Sequence, residues 1–175
     1  MPVSSRQLRR SQLRDALIYW VYIPAAVSLG GKTADLLLNL PSLPSFRYLS
    51  AMVAAIFIVS GVLLIQRTTR DLKHYGGGTP NPQAPPERLV TEGSFSLCRH
   101  PMFLGYNLAA LGTVLLLRSW GMLMIAYPVF IALEIRFLQN REEPVLARRF
   151  GAAYSDYRKR IPFLLPNPFK RRKPS

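Results

Sequence analysis

The sequence predicts an all-α integral membrane protein with about four transmembrane helices, a C-terminal amphipathic helix and both termini in the cytoplasm. Three observations predict it: four apolar runs, basic residues confined to the segments between and after these runs, and an amphipathic pattern near the C-terminus. Of the 175 residues, 49% are hydrophobic and 18% are charged, and the net charge is +14. This composition is too apolar for a disordered chain. The single cysteine excludes an internal disulfide framework.

The four apolar runs extend over Ala16 to Gly31, Tyr48 to Gln66, Met102 to Leu117 and Trp120 to Leu138. A helix that crosses a bilayer needs roughly 17 to 25 mostly apolar residues. The second and fourth runs are long enough, whereas the first and third need flanking residues. A soluble helical bundle is the alternative interpretation, but the rest of the chain is too short to cover four apolar runs.

The basic residues are divided unequally between the two sides of the predicted membrane. Four precede the first run, five lie between the second and third runs, and eleven follow from Arg136 onward. Only Lys32, Arg47 and Arg118 fall on the other side. Because Lys and Arg favour the cytoplasmic side, both termini are expected there. A cleaved secretory signal is the alternative reading of the first run, which is long for that purpose.

We divide the single structural domain into two parts. Residues 1–66 contain the N-terminal arm and the first two membrane helices. Residues 67–175 form the expected catalytic half, with a cytoplasmic loop, two membrane helices and the amphipathic helix. Within this half, the segment from Lys73 to Arg88 contains three glycines and four prolines, so it is expected to be irregular. It is either a lid over a site or a plain linker.

The fourth run is followed by a predicted bend and a second type of helix. Pro144 would clash with the carbonyl of Asn140 in a continuous helix, so the chain is expected to bend there. The residues after Pro144 that recur at helical spacing are apolar or aromatic: Leu146, Phe150, Tyr154 and Tyr157. Such a pattern is typical of an amphipathic helix that lies against a membrane or a bundle.

Two groups of polar residues are expected to meet on the cytoplasmic side. In the first, Arg99 and His100 precede Pro101, which suits the first turn of a helix. The free N–H groups of that turn favour anionic ligand groups. The alternative is that Arg99 and His100 only anchor the helix at the membrane interface. Cys98 beside them is expected to be a small packed side chain.

The second group follows the fourth run and comprises Glu134, Arg136, Arg141, Glu142 and Glu143. Arg136 and Glu143 are seven residues apart, so on a continuous helix they would share one face, about 10 Å apart. Ionisable residues near membrane depth usually face a bundle interior or a wet cavity. Structural ion pairing between the arginines and glutamates is the alternative.

Other chemistries do not fit the residues present. Two histidines and one cysteine without ligand spacing indicate no metal site. The glycines at 76–78 are not followed by the Lys and Ser/Thr of a phosphate-binding loop. A nucleic-acid-binding function is not expected, because four apolar runs have no role in it.

Two motifs together resemble a known family. The first is the stretch from Leu89 to Gly105, with Arg99-His100-Pro101 near its end. The second begins with Glu142-Glu143-Pro144 and continues through Phe150-Gly151, with tyrosines and an arginine beyond it. This combination, over roughly residues 70 to 165, resembles the isoprenylcysteine carboxyl methyltransferase family, to which the phospholipid methyltransferases are related.

The resemblance implies an integral membrane enzyme with a cytoplasmic pocket for S-adenosylmethionine. The residues that would line this cofactor are Leu89, Val90, Phe95, His100, Pro101, Met102, Phe103, Glu142 and Glu143. Phe95 and Phe103 replace tyrosines that are common in the family, so any phenol hydrogen bond there is lost. The acceptor would be held by Arg136, with Arg99 as a second catalytic residue; Arg141 is an alternative to Arg136.

The resemblance leaves the acceptor open. We expect a lipophilic small molecule or prenylated substrate that arrives through the membrane lipid, such as the carboxylate of an isoprenylcysteine. A carboxylate is already ionised and needs only an arginine to orient it, whereas an amine needs a general base, for which His100 or a glutamate is available. A phospholipid N-methyltransferase and a non-catalytic membrane scaffold protein are the alternatives.

Overall fold

The computed structural model describes residues 13–14, 17–44, 47–81 and 84–166, and the description below refers to these residues. They form five α-helices, which we number in chain order: α1 (Ile23–Leu37), α2 (Arg47–Gly76), α3 (Pro101–Leu117), α4 (Tyr127–Phe137) and α5 (Glu143–Arg160). Turns of π-helix precede α1, α4 and α5 at Ile18–Tyr22, Met122–Ala126 and Leu138–Glu142, and a 3-10 turn covers Gly93–Ser96. An isolated bridge between Ser42 and Ser119 is the only β-type pairing among the described residues. The all-helical prediction is confirmed.

Two helical stretches are long and apolar enough to cross a membrane. They are Tyr48–Gly76, whose most apolar 18 residues have a mean hydropathy of 2.5, and Met122–Arg160, whose most apolar 18 residues have a mean hydropathy of 1.5. Only 17% of the most apolar part of each is buried inside the protein, so most of its apolar side chains point outward. The third run forms the shorter apolar helix α3. The number of spans and the cytoplasmic placement of the termini stay predictions, and residues 1–12 and 167–175 lie outside the described part.

Helices α2 and α3 pack with their backbones in close approach, which places the start of α3 beside the end of α2. A Cβ atom on Gly61 would lie 2.4 Å from the carbonyl oxygen of Gly105, and one on Gly112 would lie 2.6 Å from that of Ala54. No side chain larger than hydrogen fits at such distances. Small residues at a contact between apolar helices allow this close packing.

The loop after α2 is tied to the end of that helix. Its backbone folds back, since the amide of Glu87 donates to the carbonyl of Gly76 over 2.8 Å. Further along, the amide of Ser94 donates to Asp71 Oδ2 over 2.7 Å. The irregular stretch begins at Gly77, with φ of 69°, and not at Lys73 as predicted, because helical hydrogen bonding continues up to that glycine. Whether this loop acts as a lid stays a prediction.

The predicted bend at Pro144 is not found at that residue. The backbone keeps helical dihedral angles at Glu142 and Glu143, and Pro144 lies in the first turn of α5. The helix continues through this position because the π-helical turn Leu138–Glu142 lies directly before the proline and replaces the regular α-helical hydrogen bonding there. The backbone leaves the helical region at Gly151 instead, with φ of 55° and ψ of −126°.

One end of the bundle is closed by a group that we call the Asp35 cluster: Lys32, Asp35, Arg118 and Ser119. Asp35 accepts a hydrogen bond from Ser119 Oγ at 2.5 Å and one from the amide of Gly121 at 2.7 Å. Lys32 Nζ donates to the carbonyl of Leu117 at 3.0 Å, and Arg118 Nη2 donates to the carbonyl of Leu43 at 2.8 Å. These bonds join α1 to the turn that follows α3.

Candidate functional site

At the opposite end of the bundle, the two predicted polar groups meet around one carboxylate. Arg99 Nη1 forms an ion pair with Glu143 Oε1, and His100 Nε2 lies 3.4 Å from the same oxygen. His100 Nδ1 lies 3.6 Å from Glu142 Oε1. Arg158 Nε lies 3.8 Å from Glu143 Oε2. We call these five residues the Glu143 cluster, and we note that the sequence analysis did not select Arg158.

Burial divides the Glu143 cluster into an inner and an outer part. The side chains of His100, Glu143 and Arg99 are 1%, 5% and 10% exposed, whereas those of Glu142 and Arg158 are 35% and 61% exposed. A buried charge is tolerated only when it is paired and hydrogen-bonded. Both ring nitrogens of His100 face a carboxylate, with Nε2 toward Glu143 and Nδ1 toward Glu142. The inner part is therefore a compact group of opposite charges.

The segment after α5 holds the start of α3 in place. The amide of Arg99 donates to the carbonyl of Pro162 at 2.9 Å. The ring of Phe163 lies 4.9 Å from that of His100, centroid to centroid, and 5.3 Å from Arg99 Cζ. Phe163 was not predicted from the sequence, because helical spacing does not relate it to Arg99 and His100, which are more than sixty positions earlier. These contacts fix the orientation of the Arg99 and His100 side chains.

The buried tyrosines of α5 complete this support, and they confirm the amphipathic pattern predicted for that helix. Tyr154 and Tyr157 are only 1% and 3% exposed. Tyr157 Oη donates to the carbonyl of Phe95 at 2.8 Å, which ties α5 to the 3-10 turn before α3. Arg148 and Arg149, on other faces of the helix, are exposed.

A cavity of about 520 Å³ lies beside the Glu143 cluster. It is lined by Arg99, Gln139, Glu143, Pro144, Ala147, Arg158 and Phe163. Its volume is in the range of pockets that bind small molecules. The buried Nε of Arg99 has no hydrogen-bond partner in the part of the chain that the structure describes. The cavity thus offers two guanidinium side chains, a carboxylate and an aromatic ring to a ligand.

The other predicted cofactor residues lie around the cluster without lining this cavity. The Phe103 ring is 6.2 Å from that of His100, and Pro101 is buried behind it. Val90 is buried against the end of α2, since a Cβ on Gly76 would lie 2.8 Å from its Cγ2. The remaining three predicted residues are half-buried: Leu89, Phe95 and Met102. Their contact with a cofactor stays a prediction.

Arg136 is not part of the Glu143 cluster. It is exposed in the last turn of α4, and it has no hydrogen bond or ion pair with any residue that the structure describes. The shared face predicted for Arg136 and Glu143 is not observed, because the π-helical turn Leu138–Glu142 lies between them and changes the helical phase. Arg141 is also exposed. The arginines that reach Glu143 are Arg99 and Arg158.

A second buried polar pair, Glu134 and Asn107, lies deeper in the bundle. Of these two residues, only Glu134 was predicted from the sequence to be near a site. Glu134 on α4 accepts a hydrogen bond from Asn107 Nδ2 on α3. The same nitrogen donates to the carbonyl of Phe103 at 2.9 Å, and Tyr127 Oη donates to the carbonyl of Asn107 at 3.1 Å. Asn107 could have been predicted from the sequence, because it is the single amide side chain within the apolar run of α3.

Cys98 is completely buried, as predicted for a packed side chain. Burial raises the pKa of its thiol to about 11, against the opposing effect of the His100 backbone. The thiol is therefore protonated at neutral pH, when it is a poor nucleophile. Within residues 13–166, leaving aside the gaps named above, no three His, Cys, Asp or Glu side chains converge as metal ligands would.

The chain is similar in sequence to known methyltransferases. A family model described as phospholipid methyltransferase matches residues 49–153. Methanethiol S-methyltransferase 2 of Bradyrhizobium diazoefficiens is 35% identical over 79 residues, which are 45% of this chain and 29% of that protein. No solved structure matches the chain.

Two further relatives share one name. The protein-S-isoprenylcysteine O-methyltransferase of Schizosaccharomyces pombe is 35% identical over 81 residues, and that of Mus musculus is 37% identical over 81 residues. These matches cover 45% of this chain and 33% and 27% of the respective relatives. The chain thus spans about a third or less of the length of these three relatives.

Proposed function

Because this chain belongs to the phospholipid methyltransferase family, we propose that it is a membrane methyltransferase that uses S-adenosylmethionine to methylate a lipophilic acceptor. The family confirms the resemblance that the Arg99-His100-Pro101 motif and the paired glutamates predict. The observation that supports the activity best is the Glu143 cluster, with its buried charges beside a cavity.

The residues of the cavity fit the chemical groups of this cofactor. Its α-carboxylate would bind the guanidinium groups of Arg99 and Arg158, because both residues line the cavity. Its amino group would bind the half-exposed carboxylate of Glu142. The ring of Phe163, which lines the cavity, would supply an apolar wall for the adenine. When bound, the cofactor supplies an electrophilic methyl group.

The protein's own part in such a reaction is positioning and exclusion of water. Methyl transfer needs no covalent intermediate with the enzyme, so its rate depends on alignment and desolvation of the reacting groups. The buried side chains of Arg99, His100 and Glu143 would form a rigid wall of the cofactor site, since they contact one another and Phe163 lies against Arg99 and His100. Apolar helices around the site would let a lipophilic acceptor enter from the membrane.

Two classes of acceptor follow from the sequence and from the names of the relatives. The first is a carboxylate, as in an isoprenylcysteine, which Arg136 or Arg99 would orient. The second is an amine or a thiol, which would need a base to take its proton. We place the site on the cytoplasmic side of an integral membrane protein, because most basic residues fall on that side in the predicted topology.

Glu142→Gln tests the cofactor site. We expect the detergent-purified full chain to bind S-adenosylmethionine and S-adenosylhomocysteine in calorimetric titrations, and the variant to bind at least about tenfold more weakly, or about 1.4 kcal/mol. Its melting temperature should change little, since the Glu142 side chain is 35% exposed.

Asp156→Asn is the matched control, because it neutralises an exposed carboxylate elsewhere on α5. Equal binding by the two variants would contradict the assignment of Glu142. A folded wild-type chain that binds neither compound at millimolar concentration would favour the non-catalytic scaffold.

Arg136→Ala and Arg158→Ala separate the two cationic positions. Arg136→Ala should lower turnover of a lipophilic acceptor and leave cofactor affinity unchanged, because Arg136 lies away from the cavity. Arg158→Ala should weaken S-adenosylhomocysteine binding, because Arg158 lines the cavity. If Arg136→Ala instead weakened cofactor binding and Arg158→Ala did not, Arg136 would be assigned to the cofactor site.

A further inference from the structure

We propose that Gln139 recognises the adenine base of the methyl donor, through two hydrogen bonds between its side-chain amide and the N6 and N7 positions of the base. The inference rests on the proposed function and assigns one more residue to the same cofactor site. Gln139 belongs to the π-helical turn Leu138–Glu142 and lines the cavity beside the Glu143 cluster.

The side chains that line the cavity differ in charge. Those of Arg99, Arg158 and Glu143 are charged, and both arginines form ion pairs with Glu143. Gln139 is the one uncharged polar side chain among the lining residues that the structure describes. It is exposed, and its amide forms no hydrogen bond with any described residue. Both a donor and an acceptor therefore remain available to a neutral polar group of a ligand.

The helical position of Gln139 keeps it beside Glu143. Four residues make about one turn in an α-helix and in a π-helix, so Gln139 and Glu143 share a face in either case. Arg136 is seven residues from Glu143, a spacing that shares a face only on a regular α-helix. The other exposed residues of the π-helical turn, Asn140 and Arg141, do not line the cavity.

The cavity extends along the helix from the arginines toward Gln139. Its helical wall comprises Gln139, Glu143, Pro144 and Ala147, which cover two turns. Arg158 reaches Glu143 from the segment beyond Ala147. When the cofactor carboxylate binds the arginines, Gln139 lies one turn from Glu143, or about 6 Å along the helix axis. The adenine is at the opposite end of the cofactor from its carboxylate, so it would extend toward Gln139.

The edge of adenine and the amide of glutamine are complementary. Adenine carries a hydrogen-bond donor at N6 and an acceptor at N7, and a glutamine amide pairs with both at once. An arginine has no acceptor and a carboxylate has no donor, so neither satisfies both positions. The ring of Phe163 would cover a face of the base, which leaves the edge for polar contact.

Three compounds that differ only in the base edge test the inference. S-adenosylhomocysteine has both groups, S-inosylhomocysteine has an oxygen in place of the N6 amino group, and S-tubercidinylhomocysteine has a carbon in place of N7. We expect the detergent-purified full chain to bind the first at least about tenfold more tightly than either of the others in calorimetric titrations, because each change removes one bond of the pair.

The variants of Gln139 separate the two bonds. Gln139→Leu removes the amide, so the three compounds should bind with similar affinities. Gln139→Glu keeps the acceptor and loses the donor, so it should keep the preference over the inosine compound and lose the preference over the tubercidin compound. Asn140→Leu is the matched control, because it makes the corresponding change at the next residue of the same turn and should keep both preferences.

The outcomes separate this inference from the proposed function. If the folded wild-type chain binds none of the three compounds, the proposed function fails. If it binds them alike, or keeps its preferences in Gln139→Leu, the inference on Gln139 is overturned while the cofactor site stands. Equal weakening of all three compounds in Gln139→Leu also overturns it, because the amide would then contact the ribose or the amino-acid part.

Melting temperatures are measured for every variant. The preferences are ratios within one variant, so a general loss of stability does not produce the expected pattern. If Gln139→Leu does not fold, Gln139→Glu decides the question: loss of the preference over the tubercidin compound alone supports the inference, and retention of both preferences contradicts it.

Discussion

The two ends of the helix bundle both carry charged side chains, and they differ in what satisfies the charges. In the Asp35 cluster, the carboxylate accepts from a hydroxyl and an amide and lies 3.9 Å from Lys32 Nζ, while Lys32 and Arg118 both donate to backbone carbonyls. In the Glu143 cluster, charged side chains face one another. Arg99 Nε remains without a partner among the described residues, and a cavity adjoins it.

This difference distinguishes a structural contact from a site. Charges that are satisfied by the chain's own backbone hold helices together and have little capacity left for a ligand. Charges that are paired with other side chains can exchange one partner for a ligand group, provided that there is space beside them. The Glu143 cluster has both the unpaired donor and the space. Substitutions in the Glu143 cluster are therefore expected to weaken cofactor binding, whereas substitutions in the Asp35 cluster are expected to leave it unchanged.

Glu143→Ala should have the largest effect. The change leaves the buried guanidinium of Arg99 and the ring of His100 without their shared partner. Removing one member of a buried ion pair costs roughly 3–5 kcal/mol. Thermal unfolding of the full chain in detergent measures the loss, and S-adenosylhomocysteine binding should be lost with it. A variant that melts like the wild type would show that this end of the bundle does not depend on the ion pair.

Asp35→Ala should have a smaller effect on stability and none on binding. It leaves Ser119 Oγ and the amide of Gly121 without their acceptor, and such losses cost roughly 1–3 kcal/mol. Calorimetric titration of the folded variant with S-adenosylhomocysteine should give the wild-type affinity. Weaker binding of S-adenosylhomocysteine with an unchanged melting temperature would contradict the purely structural role of the Asp35 cluster.

The pH dependence of the Asp35 contribution should be the smallest effect. The hydrogen bond from Ser119 holds the pKa of Asp35 below its ordinary value, with help from Gly121 and Lys32. Because the folded-state pKa is the lower one, the stabilisation is complete above the pKa of the unfolded chain and is lost as the pH falls through that of the folded chain.

Melting temperatures of the wild type and Asp35→Asn, measured from neutral to acid pH, should therefore converge at the acid end. A difference that stays constant with pH would mean that the charge of Asp35 does not contribute.

Sequence patterns predicted the fold and the inner part of the site well. The apolar runs gave the helices, and Arg99-His100-Pro101 with the paired glutamates predicted which residues meet. The family resemblance implied Arg136 as the residue that holds the acceptor, and its spacing on a regular helix predicted that it shares a face with Glu143. The π-helical turn Leu138–Glu142 rotates Arg136 away from Glu143. The five residues of this turn, Leu, Gln, Asn, Arg and Glu, do not predict a π-helix.

The sequence by itself determined the helical class, the family and the identity of the residues around Glu143, because helical periodicity, apolar length and short motifs are local properties of the chain. Only the tertiary structure decided that Arg158 and Phe163 lie beside Arg99 and His100, that Arg136 lies outside the Glu143 cluster, and that Asn107 faces Glu134. These outcomes depend on contacts between segments far apart in the chain and on the phase of a distorted helix. Local spacing does not encode either of them.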